Sequence, residues 1–110
     1  MGGKKEYLKS LENNGNERLR VKLTIEKSKV IDLVFQYESL IHGRWCEIVR
    51  YDSSHGFFHR DFISPDGKKE KTRIEIPEMK SAATYAEQDI KDKWEFYKSK
   101  YLKKYNRKKK

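Results

Sequence analysis

Cysteine is almost missing from this chain: Cys46 stands alone, so no intramolecular disulfide can form and a disulfide-stapled secreted scaffold is excluded as the design. A reducing cytoplasm is the expected compartment. No apolar run approaches the roughly 20 residues that a membrane-spanning helix needs, and the start Met1-Gly2-Gly3-Lys4-Lys5-Glu6 lacks the apolar stretch of a signal peptide. Glu6 also occupies the place where a myristoylation signal carries Ser or Thr. No membrane partner is expected. Helix-turn-helix and zinc-finger spacings are missing as well, which weighs against base readout in duplex DNA. There is no internal repeat, and the one biased segment is a closing basic run.

What the chain has in excess is positive charge, and it is regional. The 110 residues carry a net charge of +9, of which residues 91–110 hold +8, with ten Lys/Arg against Asp92 and Glu95. A near-neutral body with a cationic C-terminal arm attracts polyanions, because fixed positive charge displaces phosphate counterions. A solvated tail is the plainer reading of the same charges. With 35% hydrophobic residues the chain suits one domain with a single modest core. Its parts are an N-terminal segment (1–18), a sheet (19–76), a helix (81–105) and a basic tail (106–110).

Residues 4–12 read as a short helix, with Tyr7, Leu8 and Leu11 on one side, ended by Asn13-Asn14-Gly15-Asn16. Beyond it, Leu19, Val21, Leu23 and Ile25 alternate with Arg20, Lys22, Thr24 and Glu26, the period of a half-buried strand. Residues 30–39, 44–51, 57–64 and 70–76 read as four more strands. The short connections make each consecutive pair an antiparallel hairpin. Pairing Glu26 with Val30 sets Leu19, Val21, Leu23 and Ile25 opposite Tyr37, Phe35, Leu33 and Ile31. Pairing Ser39 with Arg44, and Tyr51 with Phe57, extends this apolar face through Cys46, Ile48, Phe58 and Phe62 to Ile74 and Ile76. Such a face needs a cover. Ala83, Ala86, Ile90, Trp94, Tyr97 and Tyr101 supply a stripe of helical period after Pro77, with Ser81 as the expected cap. The fold expected is α+β: a five-stranded antiparallel meander covered on one face by a long C-terminal helix. Tyr85 and Phe96 fall off the stripe, which suits either a wider buried face or contact with another subunit.

The densest chemistry lies in Tyr51-Asp52-Ser53-Ser54-His55-Gly56-Phe57-Phe58-His59-Arg60-Asp61. Strand parity puts Glu47, Val49, Tyr51, Phe57, His59, Asp61, Arg73 and Glu75 on the face away from the helix, with Glu47 opposite Asp61 and with Asp52 and His55 in the rim loop. Arg50 and Arg60 then point to the helix side, either with a carboxylate partner such as Asp89 or Asp92 or at the open edge of the sheet. Three chemistries fit the set. His55 and His59, with Asp52 and Asp61, could serve as acid and base in metal-independent RNA cleavage, although four extended residues span about 13 Å and the loop must fold back. The same four residues are the types that ligate Zn, Mn or Fe. Binding without catalysis would use Trp45, Tyr51 and Phe57 as stacking surfaces and Arg73, Lys103, Lys104, Arg107 and Lys108 as phosphate contacts. Against all three stands plain turn chemistry, with Asp52 and Ser53 capping loop amides, Gly56 at positive φ, and His59 paired with Asp61. Cys46, mid-strand on the apolar face, reads as core packing, and the leading reading requires no cofactor.

With its strand and C-terminal helix, the segment Arg50 to Asp61, Arg-Tyr-Asp-x-x-His-Gly-x-x-His-Arg-Asp, resembles a group of small, uncharacterised prokaryotic proteins over most of residues 19–105. It is also distantly similar to the TumE-type toxin components of toxin–antitoxin pairs, whose pattern tends to end in His-x-His where this chain has His59-Arg60-Asp61. The resemblance implies a small cytoplasmic protein acting on or near nucleic acid. The expected function is therefore nucleic-acid interaction, RNA ahead of duplex DNA, extending to a toxin-like ribonuclease if His55 and His59 act together. The alternative is a non-enzymatic structural or protein-interaction subunit, such as a homodimer, whose histidine segment only stabilises a loop.

Overall fold

The computed structural model describes residues 2–108, with the side chains of His55, Arg107 and Lys108 outside the described set. Six strands, β1 (Gly3–Ser10), β2 (Glu17–Glu26), β3 (Lys29–Ile41), β4 (Arg44–Asp52), β5 (His59–Ile63) and β6 (Lys69–Arg73), precede one helix, α1 (Met79–Lys108). The strands form a single antiparallel sheet in chain order. No helix among the described residues is long and apolar enough to cross a membrane.

The sixth strand corrects the expected count of five, because residues 3–10 form an edge strand rather than a helix. A helix of nine residues is too short to stand alone in water, whereas β2 offers an unpaired edge of amides and carbonyls. Pairing from Gly3 opposite Ile25 to Ser10 opposite Arg18 satisfies that edge.

Between β2 and β3 the expected partners meet: Leu19 faces Tyr37, Val21 faces Phe35 and Leu23 faces Leu33. A shift between Thr24 and Ile25 then sets Ile25 opposite Val30, not Ile31, and leaves Ile31 42% exposed. The hairpin closes on Lys27 and Ser28, both left-handed at φ 51 and φ 65, as a two-residue turn matched to strand twist requires. Neither residue is glycine, so each carries steric cost. Ser28→Gly should raise stability by about 0.5–1 kcal/mol, after subtraction of the extra chain entropy glycine brings. Urea melts would show it, and a lower midpoint would mean that the Ser28 side chain makes a contact that matters more than the backbone strain.

The β3–β4 register departs further from expectation. The His42-Gly43 turn closes directly on Ile41 opposite Arg44, in place of Ser39 opposite Arg44. A bulge between Tyr37 and Glu38 then sets Glu47 opposite Glu38 and Val49 opposite Tyr37, so Ile48 and Val49 are both fully buried. One extra residue inverts every following position on β4. Tyr51 thus turns into the core, 0% exposed, while Arg50 and Asp52 turn to the open face. The β4–β5 register changes as well, with Arg50 opposite Asp61 and Asp52 opposite His59.

Helix α1 packs on β3 and β4. Its 30 residues cover about 45 Å at 1.5 Å per residue, long enough to follow β4 from Tyr51 back to the His42 turn. Ala82, Ala86, Ile90, Tyr97 and Tyr101 are buried in the seam, and Ala83 and Trp94 are half-buried. Ser81 is not the cap: the Glu78 carbonyl accepts from Ala82 N, and the Ser81 hydroxyl donates to the Glu78 carboxylate. Two buried carboxylates tie helix to sheet. Asp89 accepts from Tyr51 Oη at 2.6 Å and Tyr97 Oη at 2.5 Å, and Glu17 accepts from Tyr37 Oη and Lys98 Nζ, both at 2.6 Å. Burial and the adjacent carboxylate push all three tyrosine hydroxyls well above their ordinary range.

Candidate functional site

The open face of the sheet gathers much of the histidine segment. Cross-strand register lines up Val34, Asp52, His59 and Arg73 in one row and Gln36, Arg50, Asp61 and Lys71 in the next. Arg73 thus stands across from His59 rather than Asp61, and Arg50, not Glu47, faces Asp61. Arg60 alone keeps the helix side, with its guanidinium 3.5 Å from the Tyr51 hydroxyl. The expected helix-side place of Arg50 fails for the reason that moves Tyr51, the bulge in β4.

His59 and Asp61 share a face yet are closed off from solvent, at 2% and 5% exposure. The imidazole Nε2 lies 3.7 Å from Asp61 Oδ2, and Nδ1 lies 3.3 Å from the Phe57 carbonyl oxygen. Asp61 Oδ1 has no hydrogen-bond partner among the described residues. Phe57, half-buried, leans on the His59 ring at 5.2 Å, and the Arg73 guanidinium covers Phe57 at 5.1 Å. Asp52 is a capping residue: it accepts from Ser54 N at 2.7 Å and Arg50 Nε at 3.1 Å. Burial works to raise its carboxyl, but those donors prevail and hold it below the usual carboxylate range. The loop beyond is a single 3-10 turn, Ser54–Gly56, released by Gly56 at φ 82. The expected role of His55 lies outside the described residues because its side chain does. No group of three or more His, Cys, Asp or Glu side chains among the described residues is arranged to hold a metal ion.

The rest of the open face is a network that sequence parity missed. Glu38, 6% exposed, accepts from Arg18 Nε at 2.6 Å, Arg20 Nε at 3.0 Å and the Gln36 amide. Arg20 reaches on to Glu6, and Arg50 to Gln36 and Asp52. Arg18 covers the Trp45 ring at 3.6 Å. These charges neutralise one another locally. The alternation of arginines with Glu38 across two strands was the one available signal.

Unbalanced positive charge sits elsewhere, where β6 meets the end of α1. Every residue of β6 is exposed at the sheet edge. A groove of about 650 Å³ runs between them, lined by Pro65, Asp66, Lys68, Lys69, Glu70 and Lys104. Lys100 lies 3.3 Å from Glu70 of that lining and over the Phe62 ring at 4.3 Å. Of the expected phosphate contacts, Lys104 lines this groove, and Arg73 and Phe57 stand at the far end of β6. Lys103 lies on another side of the helix, with Trp94, Lys98 and Leu102. The side chains of Arg107 and Lys108 are outside the described residues. Tyr51, expected as a stacking surface, is in the core. Lys68 and Lys69, which line the groove, are not among the expected phosphate contacts, although the run Lys68-Lys69-Glu70-Lys71 is plain in the sequence.

The family described as "Domain of unknown function (DUF7718)" matches residues 2–107, and the chain belongs to it. No curated protein and no solved structure matches the chain.

Proposed function

We propose, from a family membership that brings no reaction with it, that this protein binds single-stranded RNA along the groove between β6 and the last turns of α1. The observation that carries this reading is the meeting of Lys68 and Lys69 with Lys100 and Lys104, far apart in sequence: Lys104 lines the same groove as Lys68 and Lys69, and Lys100 reaches Glu70 between them. A groove with lysines on both walls follows a phosphate backbone. Phe57, with Arg73 and Lys71 beside it, adds an aromatic surface at one end of the same strand. An unpaired strand supplies bases to such surfaces, whereas a duplex keeps them stacked inside.

The test is anisotropy with labelled single-stranded RNA. Lys68→Glu, Lys69→Glu and Lys104→Glu combined should weaken binding more than tenfold at low salt. The slope of log affinity against log salt should become less negative by about 2, three contacts at about 0.7 each. Unchanged affinity in the triple variant, or a wild-type protein that does not bind RNA, would overturn the reading.

Catalysis through His59 is not part of the proposal, because a ring 2% exposed cannot reach the backbone of a polymer. Labelled RNA is expected to survive both wild type and His59→Gln, with and without EDTA, and cleavage by the wild type that His59→Gln abolishes would restore the acid–base role.

A subunit role is favoured by one observation. Tyr85 and Phe96 are 40% and 63% exposed and lie three helical turns apart on one side of α1. Light scattering separates the readings: a stable homodimer that Phe96→Glu splits, and that ignores RNA, would support a subunit.

A further inference from the structure

Beside the groove lies a second concavity, and its lining is aromatic. It measures about 430 Å³ and opens at the His42 turn, where the end of α1 meets the β3–β4 and β5–β6 hairpins. His42, Arg44, Trp45, Pro65, Tyr101 and Tyr105 form its walls, and Ser64 and Pro65 belong to both the pocket and the lysine groove. The two therefore adjoin at these residues.

Its rings are already ordered as a platform. His42 and Tyr105 stack with centroids 5.5 Å apart and planes 27° apart. His42 is exposed, because the two-residue turn holds it out at φ 51. Trp45, 39% exposed, is steadied by the Arg18 guanidinium on its ring. Arg44 is exposed and lines the pocket. A flat ring platform beside a cationic track suits a flat ligand joined to an anionic chain. Every nucleobase offers such a face, so the platform is tolerant of sequence.

We propose that this pocket takes one unstacked nucleobase of the strand whose phosphates lie over Lys68, Lys69 and Lys104, with the base extending the His42–Tyr105 stack and Arg44 at its edge. The inference rests on the RNA-binding reading of the groove and adds a base subsite to it. The lysines hold any phosphate backbone, whereas the pocket distinguishes a strand with bases from one without.

The experiment compares a labelled uridine oligomer with an abasic backbone of equal length and charge. Each is titrated onto wild type, His42→Asn, which removes the ring but tolerates the left-handed turn, and Tyr105→Leu. Stacking contributes about 1–3 kcal/mol per base, so each variant should weaken the uridine oligomer between about fivefold and a hundredfold and leave the abasic one unchanged. Wild type should bind the uridine oligomer tighter by a similar factor. A 2-aminopurine placed within the oligomer should be quenched on wild type and less so on either variant. Equal binding of both oligomers to wild type, or variants that bind uridine as tightly as wild type, would overturn the base subsite and leave the groove standing. Failure of both oligomers to bind would overturn the groove itself, and the subsite with it.

Discussion

Glu38→Ala should cost this protein about 2–4 kcal/mol, the range for removing one partner of a buried ionic cluster, lowered because the two arginines keep some contact with water. Glu38 is the single acceptor that three donors share, with side-chain exposures of 22% for Arg18, 25% for Arg20 and 8% for Glu38 itself. Its loss leaves two guanidinium groups and the Gln36 amide competing for what remains. For a domain of this size the melting temperature should fall by roughly 10–25 °C. Glu38→Gln, which keeps the shape and one acceptor, should fall between wild type and alanine. A Glu38→Ala protein within 1 kcal/mol of wild type would mean that the cluster is solvated and contributes no more than a surface pair.

The same cluster sets an acid limit. Burial works to raise the Glu38 and Asp52 carboxyls, yet their arginine and amide donors prevail and hold both below their ordinary values. A folded-state pKa below the unfolded one means that the unfolded chain takes up protons first as pH falls. The contribution is complete at neutral pH, and it is lost as pH drops through the ordinary carboxylate range of about 4 and on through the lower folded values. Urea midpoints measured from pH 7 to pH 3 should decline, and the decline should be shallower in Glu38→Ala. An identical pH dependence in both proteins would assign the acid limit to other carboxylates.

Tyr51→Ala should be more damaging still, at about 3–5 kcal/mol, as expected for emptying a fully buried aromatic site. The ring stacks on Phe58 at 5.4 Å and meets Tyr85 edge-on at 6.0 Å, so its removal opens the seam between helix and sheet. With a native stability of order 5–15 kcal/mol, part of the chain would be unfolded at physiological temperature. Tyr51→Phe isolates the hydroxyl: Asp89 keeps Tyr97 and Lys93, so the loss should be about 1–2 kcal/mol. Neither substitution should alter RNA affinity in protein that remains folded. A folded Tyr51→Phe protein with clearly weaker RNA binding would place the hydroxyl at the interface and contradict the inverted face of β4.

The bulge explains why Tyr51 was legible as important but not as core. Alternation in Leu19, Val21, Leu23 and Leu33, Phe35, Tyr37 is a period-two signal carried by each strand, and it specified the β2–β3 pairing up to the shift at Thr24. The helix was equally readable, since Ala86, Ile90, Tyr97 and Tyr101 repeat at helical spacing and all four are buried. On β4 the run Ile48-Val49 carries no sign of which apolar residue is the extra one. Parity taken from Cys46 and Ile48 therefore sends Tyr51 outward, and the structure sends it inward.

Local patterns of period two, period 3.6 and composition were enough to specify an antiparallel sheet with one apolar face, a long helix to cover it and a cationic C-terminal arm. Which residues those charges meet is a matter of tertiary structure. The edge role of β1, the Asp89 link between Tyr51 and Tyr97, the burial of His59 with Asp61 and the joining of β6 to the end of α1 depend on pairings between distant segments. A single inserted residue in β4 reverses which side chains share a face, and local patterns carry no record of it.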